Sequence, residues 1–162
     1  MTTSAITTYE LTRHYGENTA VSQLNLTIPQ GEVFGFLGHN GAGKTTTVNL
    51  LTTLLLPTSG SATILDFDIV EHNREVRQLI GYVPENVRLY NDLTVAENLR
   101  FLAELSEVKY VDDRISQILD LLGHPEWQDR RVGGFSKGMR QRVGIAQALL
   151  HKPEVLFLDE PA

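Results

Sequence analysis

Gly38-His39-Asn40-Gly41-Ala42-Gly43-Lys44-Thr45 is the stretch of this chain best suited to chemistry. It fits G-x-x-x-x-G-K-[ST], a loop whose backbone amides cradle phosphates. Glycine lets the backbone pass close to a ligand and turn several amides inward. A helix expected to start at Lys44 adds the positive field of its N-terminus. Lys44 can then reach the β- and γ-phosphates, and the Thr45 hydroxyl can ligate magnesium. The plain alternative is an ordinary turn before a helix. The apolar run Val33 to Leu37 just upstream favours the phosphate reading, because such loops follow a buried strand.

A second candidate ends the chain. Val155-Leu156-Phe157-Leu158 reads as a buried strand followed by Asp159 and Glu160. Ligands of open α/β sheets sit at the carboxyl ends of strands. Asp159 can hold magnesium directly or through water, and Glu160 can act on the attacking water. Taken alone this signal is weak, because acidic residues often follow strands. Histidines 14, 39, 72, 124 and 151 share no metal-ligand spacing and read as surface or capping residues. Lys137, Arg140 and Arg142 read as a solvated basic helix face.

The elements that must position these groups follow from periodicity and punctuation. Ala20 to Ile28 alternates apolar and polar with one slip, which predicts a half-buried strand. Val33 to Leu37 predicts a strand buried on both faces. Helices are expected over 44–55 and 71–79, with strands over 61–65 and 80–83. Thr94 and Glu97 form a capping-box pattern, so a helix should run from there to about Leu105. Val111, Ile115, Ile118, Leu119 and Leu122 have helical spacing, and Gly123 should end that helix. A last helix is expected over 139–150, with Pro153 beyond it. The alternation of strands and helices predicts α/β with a mostly parallel sheet.

Composition narrows the class. The 162 residues carry a formal net charge of −6, and 41% of them are apolar. That mix describes a globular domain, and net acidity argues against general nucleic-acid binding. Without cysteine there is no disulfide framework and no cysteine-ligated zinc. No apolar run approaches the roughly 18 residues needed to span a bilayer, so a soluble cytoplasmic chain is expected.

Together these pieces resemble the ATP-binding subunit of an ABC transporter. GHNGAGKT resembles the Walker A loop and VLFLDEP resembles Walker B. Between them, Phe135-Ser136-Lys137-Gly138-Met139 followed by RQR resembles the ABC signature motif. The resemblance implies a phosphate-loop NTPase core, an N-terminal antiparallel β subdomain and a helical subdomain. It assigns 1–84 and 153–162 to the core with its β subdomain, and 85–152 to the helical subdomain. It also implies ATP and magnesium as ligands. Nucleotide contacts would come from Gly38, Asn40, Gly41, Ala42, Gly43, Lys44, Thr45 and Thr46, with Tyr15 stacking on adenine. Metal contacts would come from Thr45, Glu85 and Asp159, and Glu160 would act as the catalytic residue beside Lys44.

The resemblance implies two partners. One is a second ATPase subunit placed head to tail, whose ATP would meet Ser136, Lys137, Gly138 and Met139. The other is a transmembrane subunit, which would hold this chain at the inner face of the cell membrane and contact it near 85–98. Three residues depart from the family pattern. Glu85 stands where a glutamine is usual, Lys137 replaces the first glycine of the signature, and Met139 replaces its glutamine. Glu85 can still contact magnesium or a water, and Lys137 either adds a charge contact or hinders close approach. Glu85 and the FSKGMRQR stretch resemble exporters of the drug-resistance type.

Family domains continue past Walker B into an aspartate loop and a histidine. This chain is therefore expected to be the front part of such a domain, weak as an ATPase and unstable when isolated. The competing expectations are a soluble ABC ATPase acting on ribosomes or DNA, a small phosphate-loop kinase, and a non-catalytic nucleotide-binding fragment.

Overall fold

Glu10 interrupts the first strand of the chain, and that interruption decides how its side chains face. A computed structural model describes residues 3–159. The chain divides between Leu79 and Ile80 into two compact units. The first unit begins with β1 (Ser4–Tyr15) and β2 (Asn18–Pro29), an antiparallel pair. Gly16 joins them at φ +59°, the positive value a two-residue hairpin loop needs. Ile6 and Thr8 are buried before Glu10, and Leu11 and Thr12 after it. Glu10 has φ +45° and the register shifts there, so the inward parity changes across the bulge. Periodicity alone does not reveal β1 for this reason.

The bulged backbone is satisfied by polar side chains. The Thr8 hydroxyl donates to the Leu24 carbonyl at 2.8 Å. The Thr12 hydroxyl donates to the Glu10 carbonyl and accepts from the Gln23 amide, each at 2.9 Å. The Glu10 amide donates to Asn25 Oδ1 at 2.9 Å. The buried Thr8 and Thr12 hydroxyls thus keep their hydrogen bonds.

Strand β3 (Ser59–Ile64) pairs with the other edge of β1, and β4 (Phe67–Asp68) extends it, in the order β2-β1-β3-β4. The N-terminal antiparallel β part expected from the sequence is this sheet. Helix α1 (Lys44–Leu51) stops four residues short of expectation. Thr53 turns to φ +61°, and the Leu54 and Leu55 amides both donate back to the Asn49 carbonyl. Helix α2 (Asn73–Leu79) follows β4. Leu11, Leu50, Ile64, Ile69 and Val76 form the fully buried interior of this unit.

Val33 to Leu37 corrects one expectation. It is not a strand, and Val33 and Leu37 are almost fully exposed. Strand preference is realised only where a neighbour accepts the ladder hydrogen bonds. Among the described residues no strand pairs with this run.

In the second unit β5 (Ile80–Val83) pairs in parallel with β6 (Val155–Leu158), from Ile80 opposite Val155 to Val83 opposite Leu158. A parallel pair needs a long crossover, and here it holds α3 (Val95–Leu105), α4 (Val111–Leu121) and α5 (Lys137–Leu149). Helix α5 lies so close to β5 that a Cβ on Gly81 would overlap the Ala148 carbonyl. Phe157 is buried, but Leu156 and Leu158 remain 38% and 42% exposed. That corrects the expectation of a buried strand: among the described residues β5 is its one partner, and a neighbouring strand covers an edge, not a face.

The helices pack as their spacing predicts. Val95, Leu99 and Ala103 of α3 meet Ile115, Ile118 and Leu119 of α4 and Val143 and Ala146 of α5, with Trp127, Val132 and Phe135 from the connection. The capping box is present, with the Glu97 amide donating to the Thr94 hydroxyl at 3.1 Å and the Thr94 amide to Glu97 Oε2 at 2.7 Å. Gly123 ends α4 at φ +75°. Arg114 donates to the Leu149 and Leu150 carbonyls at 2.6 and 3.1 Å, satisfying the end of α5 from the neighbouring helix.

Candidate functional site: a phosphate loop and a capped helix

In the first unit the loop before α1 has the backbone its glycines permit. Gly41 and Gly43 have φ +83° and +86°, values that side chains strain. A Cβ on Gly43 would also overlap the Ala20 carbonyl, whereas nothing crowds Gly41. The Ala42 amide donates to the His39 carbonyl at 3.1 Å and closes the turn. Lys44 folds back over the loop, donating to the Gly38 and His39 carbonyls at 2.7 and 3.0 Å. A phosphate is a stronger acceptor than these carbonyls and can take the ammonium from them. Gly38, Asn40, Gly41, Ala42 and Gly43 form the turn and Lys44, Thr45 and Thr46 open α1, so a cation stands at the start of a helix.

Tyr15 ends β1 with its side chain partly exposed. Sequence reasoning missed its neighbour. The Arg13 guanidinium lies 4.8 Å from the Tyr15 ring centroid, and Arg13 Nη1 donates to the Leu56 carbonyl at 2.9 Å. Residues two apart on a strand share a face, and a cation beside an aromatic at that spacing is the signal that could have found it.

In the second unit Asp159 follows β6 and is buried, its amide donating to the Val83 carbonyl at 2.9 Å. Burial pushes the Tyr82 phenol above its ordinary range, and the Asp159 carboxylate adds to the effect. Glu160, the expected catalytic carboxylate, lies outside the described residues.

Ser136 is the N-cap of α5, and its hydroxyl accepts from the Met139 amide at 3.3 Å. Lys137 and Gly138 are exposed in the first turn, and nothing lies within 4 Å of a Cβ placed on Gly138. Lys137 Nζ stands 3.9 Å from the Glu85 carboxylate. Four residues on, the buried Gln141 donates to the Pro84 carbonyl at 3.2 Å. The sequence contained no local signal for that bond, because its partners lie 57 positions apart.

The basic helix face is corrected at one position, Arg140. Arg140 donates to Asn91 Oδ1 at 2.7 Å and to the Val132 carbonyl at 3.1 Å, so it clamps two loops. Arg142 donates to His124 Nε2 at 2.6 Å while the His124 ring stacks on Trp127, 3.8 Å between centroids. Lys137 and Arg142 stay exposed as expected, and only Arg140 is drawn partly inward.

The donors present suit magnesium. Among the described residues no cluster of three or more histidine or acidic side chains could hold a metal alone. Magnesium needs no such cage, taking one or two protein oxygens with the rest from phosphates and water. The Thr45 hydroxyl in the first unit is a donor of that kind, and so, taken by itself, is the Asp159 carboxylate in the second.

The family model described as ABC transporter matches residues 21–162, and the chain belongs to that family. The bacitracin transport ATP-binding protein BcrA of Bacillus licheniformis is 42% identical over 156 residues, which are 96% of this chain and 51% of BcrA. The probable multidrug ABC transporter ATP-binding protein YbhF of Escherichia coli is 38% identical over 154 residues, 94% of this chain and 27% of YbhF. The chain thus spans about half or less of the length of these relatives. Among solved structures, cbiO1 from Clostridium perfringens, part of the ABC transporter complex cbiONQ, matches with TM-score 0.84 and 27% identity over 96% of this chain and 64% of that one. The fold is the α/β phosphate-loop fold of ABC ATPase domains. No helix among the described residues is long and apolar enough to cross a membrane.

Proposed function

We propose that this chain is the nucleotide-binding part of a subunit that hydrolyses ATP to power an ABC membrane transporter, an exporter. The observation that carries this reading is the Gly38–Thr45 loop, with Gly41 and Gly43 at positive φ and Lys44 poised over it at the start of α1. Relatives named for bacitracin transport and multidrug transport support the exporter branch. In this reading residues 1–84 and 153–162 form the core and 85–152 the helical subdomain.

The chemistry follows from the residues. Loop amides and Lys44 hold the β- and γ-phosphates of the substrate ATP and offset charge that grows on the transferred group. Tyr15 offers its ring to the adenine. Thr45 and Asp159 would hold magnesium, with Glu85 facing it or a water. Bound magnesium supplies further charge neutralisation at the phosphate oxygens. Glu160 orients or deprotonates the attacking water. Ser136, Lys137, Gly138 and Met139 serve the ATP of a second subunit placed head to tail, where the capped start of α5 meets the γ-phosphate. The subunit works at the inner face of the membrane, held by a transmembrane partner, and needs no nucleic acid.

The test is ATP turnover by the full protein assembled with its membrane subunit. Lys44→Ala and Glu160→Gln should each lower turnover by about 100-fold or more. Turnover that both variants retain would overturn the reading.

A further inference from the structure

We propose that Lys137 is a positioning residue for Glu85, and that the two charges work as one unit that sets where the Glu85 carboxylate rests beside the first turn of α5. The inference rests on the function proposed above. A cation in the first turn of a helix opposes the helix dipole. The first turn of α5 contains no acidic residue to offset it. Glu85, 52 positions earlier in the chain, supplies that charge at 3.9 Å from Lys137 Nζ.

The ion pair is one of three contacts on a single face of α5. Lys137 faces Glu85, Gln141 donates to the Pro84 carbonyl, and Gly144 leaves room for Val87, whose methyl would collide with a Cβ there. Residues 137, 141 and 144 follow the i, i+4, i+7 spacing of one helix face. Gln141 and Gly144 are buried, whereas Lys137 and Glu85 are solvated. The inner two contacts therefore hold the backbone after β5, and the outer pair sets where the Glu85 carboxylate rests. Lys137 is the one adjustable contact, because a flexible ammonium can change partners where packed groups cannot.

The experiment is a double-mutant cycle with Glu85→Gln, Lys137→Gln and both together, in the full protein assembled with its membrane subunit. Lys137→Arg and Lys44→Ala serve as companions. Two quantities are read: the thermal midpoint without nucleotide, and ATP turnover. The single variants should each lower the midpoint by about 1–3 °C, and the double variant by less than their sum. Their effects on turnover should miss simple multiplication by about two- to fivefold. Both couplings should persist in Lys137→Arg and disappear at about 1 M salt, where the screening length is about 3 Å.

Additive midpoints, multiplicative rates, salt-independent coupling or loss of coupling in Lys137→Arg would each overturn the proposal. Turnover that Lys44→Ala leaves intact would overturn the function on which it rests. Lys44-dependent turnover with multiplicative effects would overturn this inference alone.

Discussion

The Arg13 guanidinium covers the ring of Tyr15 at 4.8 Å from its centroid, at the end of a strand whose inward parity has already been shifted by a bulge. Arg13 is itself tied to the Leu56 carbonyl, so the ring is held by a side chain with its own anchor.

In the proposed function, in which Tyr15 stacks on adenine, nucleotide affinity should depend on both residues. Tyr15→Ala should weaken binding by about tenfold or more, the usual cost of losing an aromatic platform under a base. Arg13→Gln should weaken it by about two- to fivefold, the value of an exposed cation–π contact. Titration with a fluorescent ATP analogue measures both. Binding by Tyr15→Ala within twofold of the parent would remove Tyr15 from the site.

The two left-handed glycines of the phosphate loop should differ in cost. Gly43→Ala combines backbone strain with overlap at the Ala20 carbonyl and should lose about 2–3 kcal/mol. Gly41→Ala meets only strain and should lose about 1 kcal/mol. Urea midpoints decide it, and equal losses would mean that the Ala20 contact does not matter.

Gly138 should separate stability from turnover. Its backbone is helical and its surroundings are open, so Gly138→Ala should gain about 0.5–1 kcal/mol of stability. In the proposed function the same methyl obstructs backbone approach to the partner's ATP, so turnover should fall. A stabilised variant with unchanged turnover would argue against that approach.

The capping box gives a pH dependence. The Thr94 amide bonds to the Glu97 carboxylate and holds it below its ordinary range, with the Thr94 hydroxyl and nearby arginines assisting. A depressed folded-state pKa contributes stability that is present above the ordinary value of 4.5 and lost as pH falls through the folded value. Glu97→Gln keeps an acceptor but not the titration. Relative to it, the parent should lose stability only below about pH 4.5. Parallel acid unfolding curves for the two proteins would contradict the assignment.

What the sequence revealed was decided over short distances. The phosphate loop is contiguous, and Thr94 and Glu97 are three residues apart, so their geometry is contained in the local pattern. Strand β1 was hidden because Glu10 switches the inward face midway. Val33 to Leu37 misled because an apolar run states only a preference, and a strand needs a partner. Arg140 reads as part of a solvated basic face and Gln141 carries no local signal, since Asn91 and Pro84 come near them only after the chain has folded.

The pairing of β5 with β6 also dictates an order in time. Ile80 and Val155 are neighbours in space but about 75 residues apart along the chain, so closing that loop carries a large entropy cost. Helices α3, α4 and α5 lie within the loop and can consolidate on their own contacts first, shortening the span left to close. During synthesis β5 leaves the ribosome long before its partner has been made. It must therefore wait, with its hydrogen-bonding edge unpaired, until the last residues of this stretch arrive.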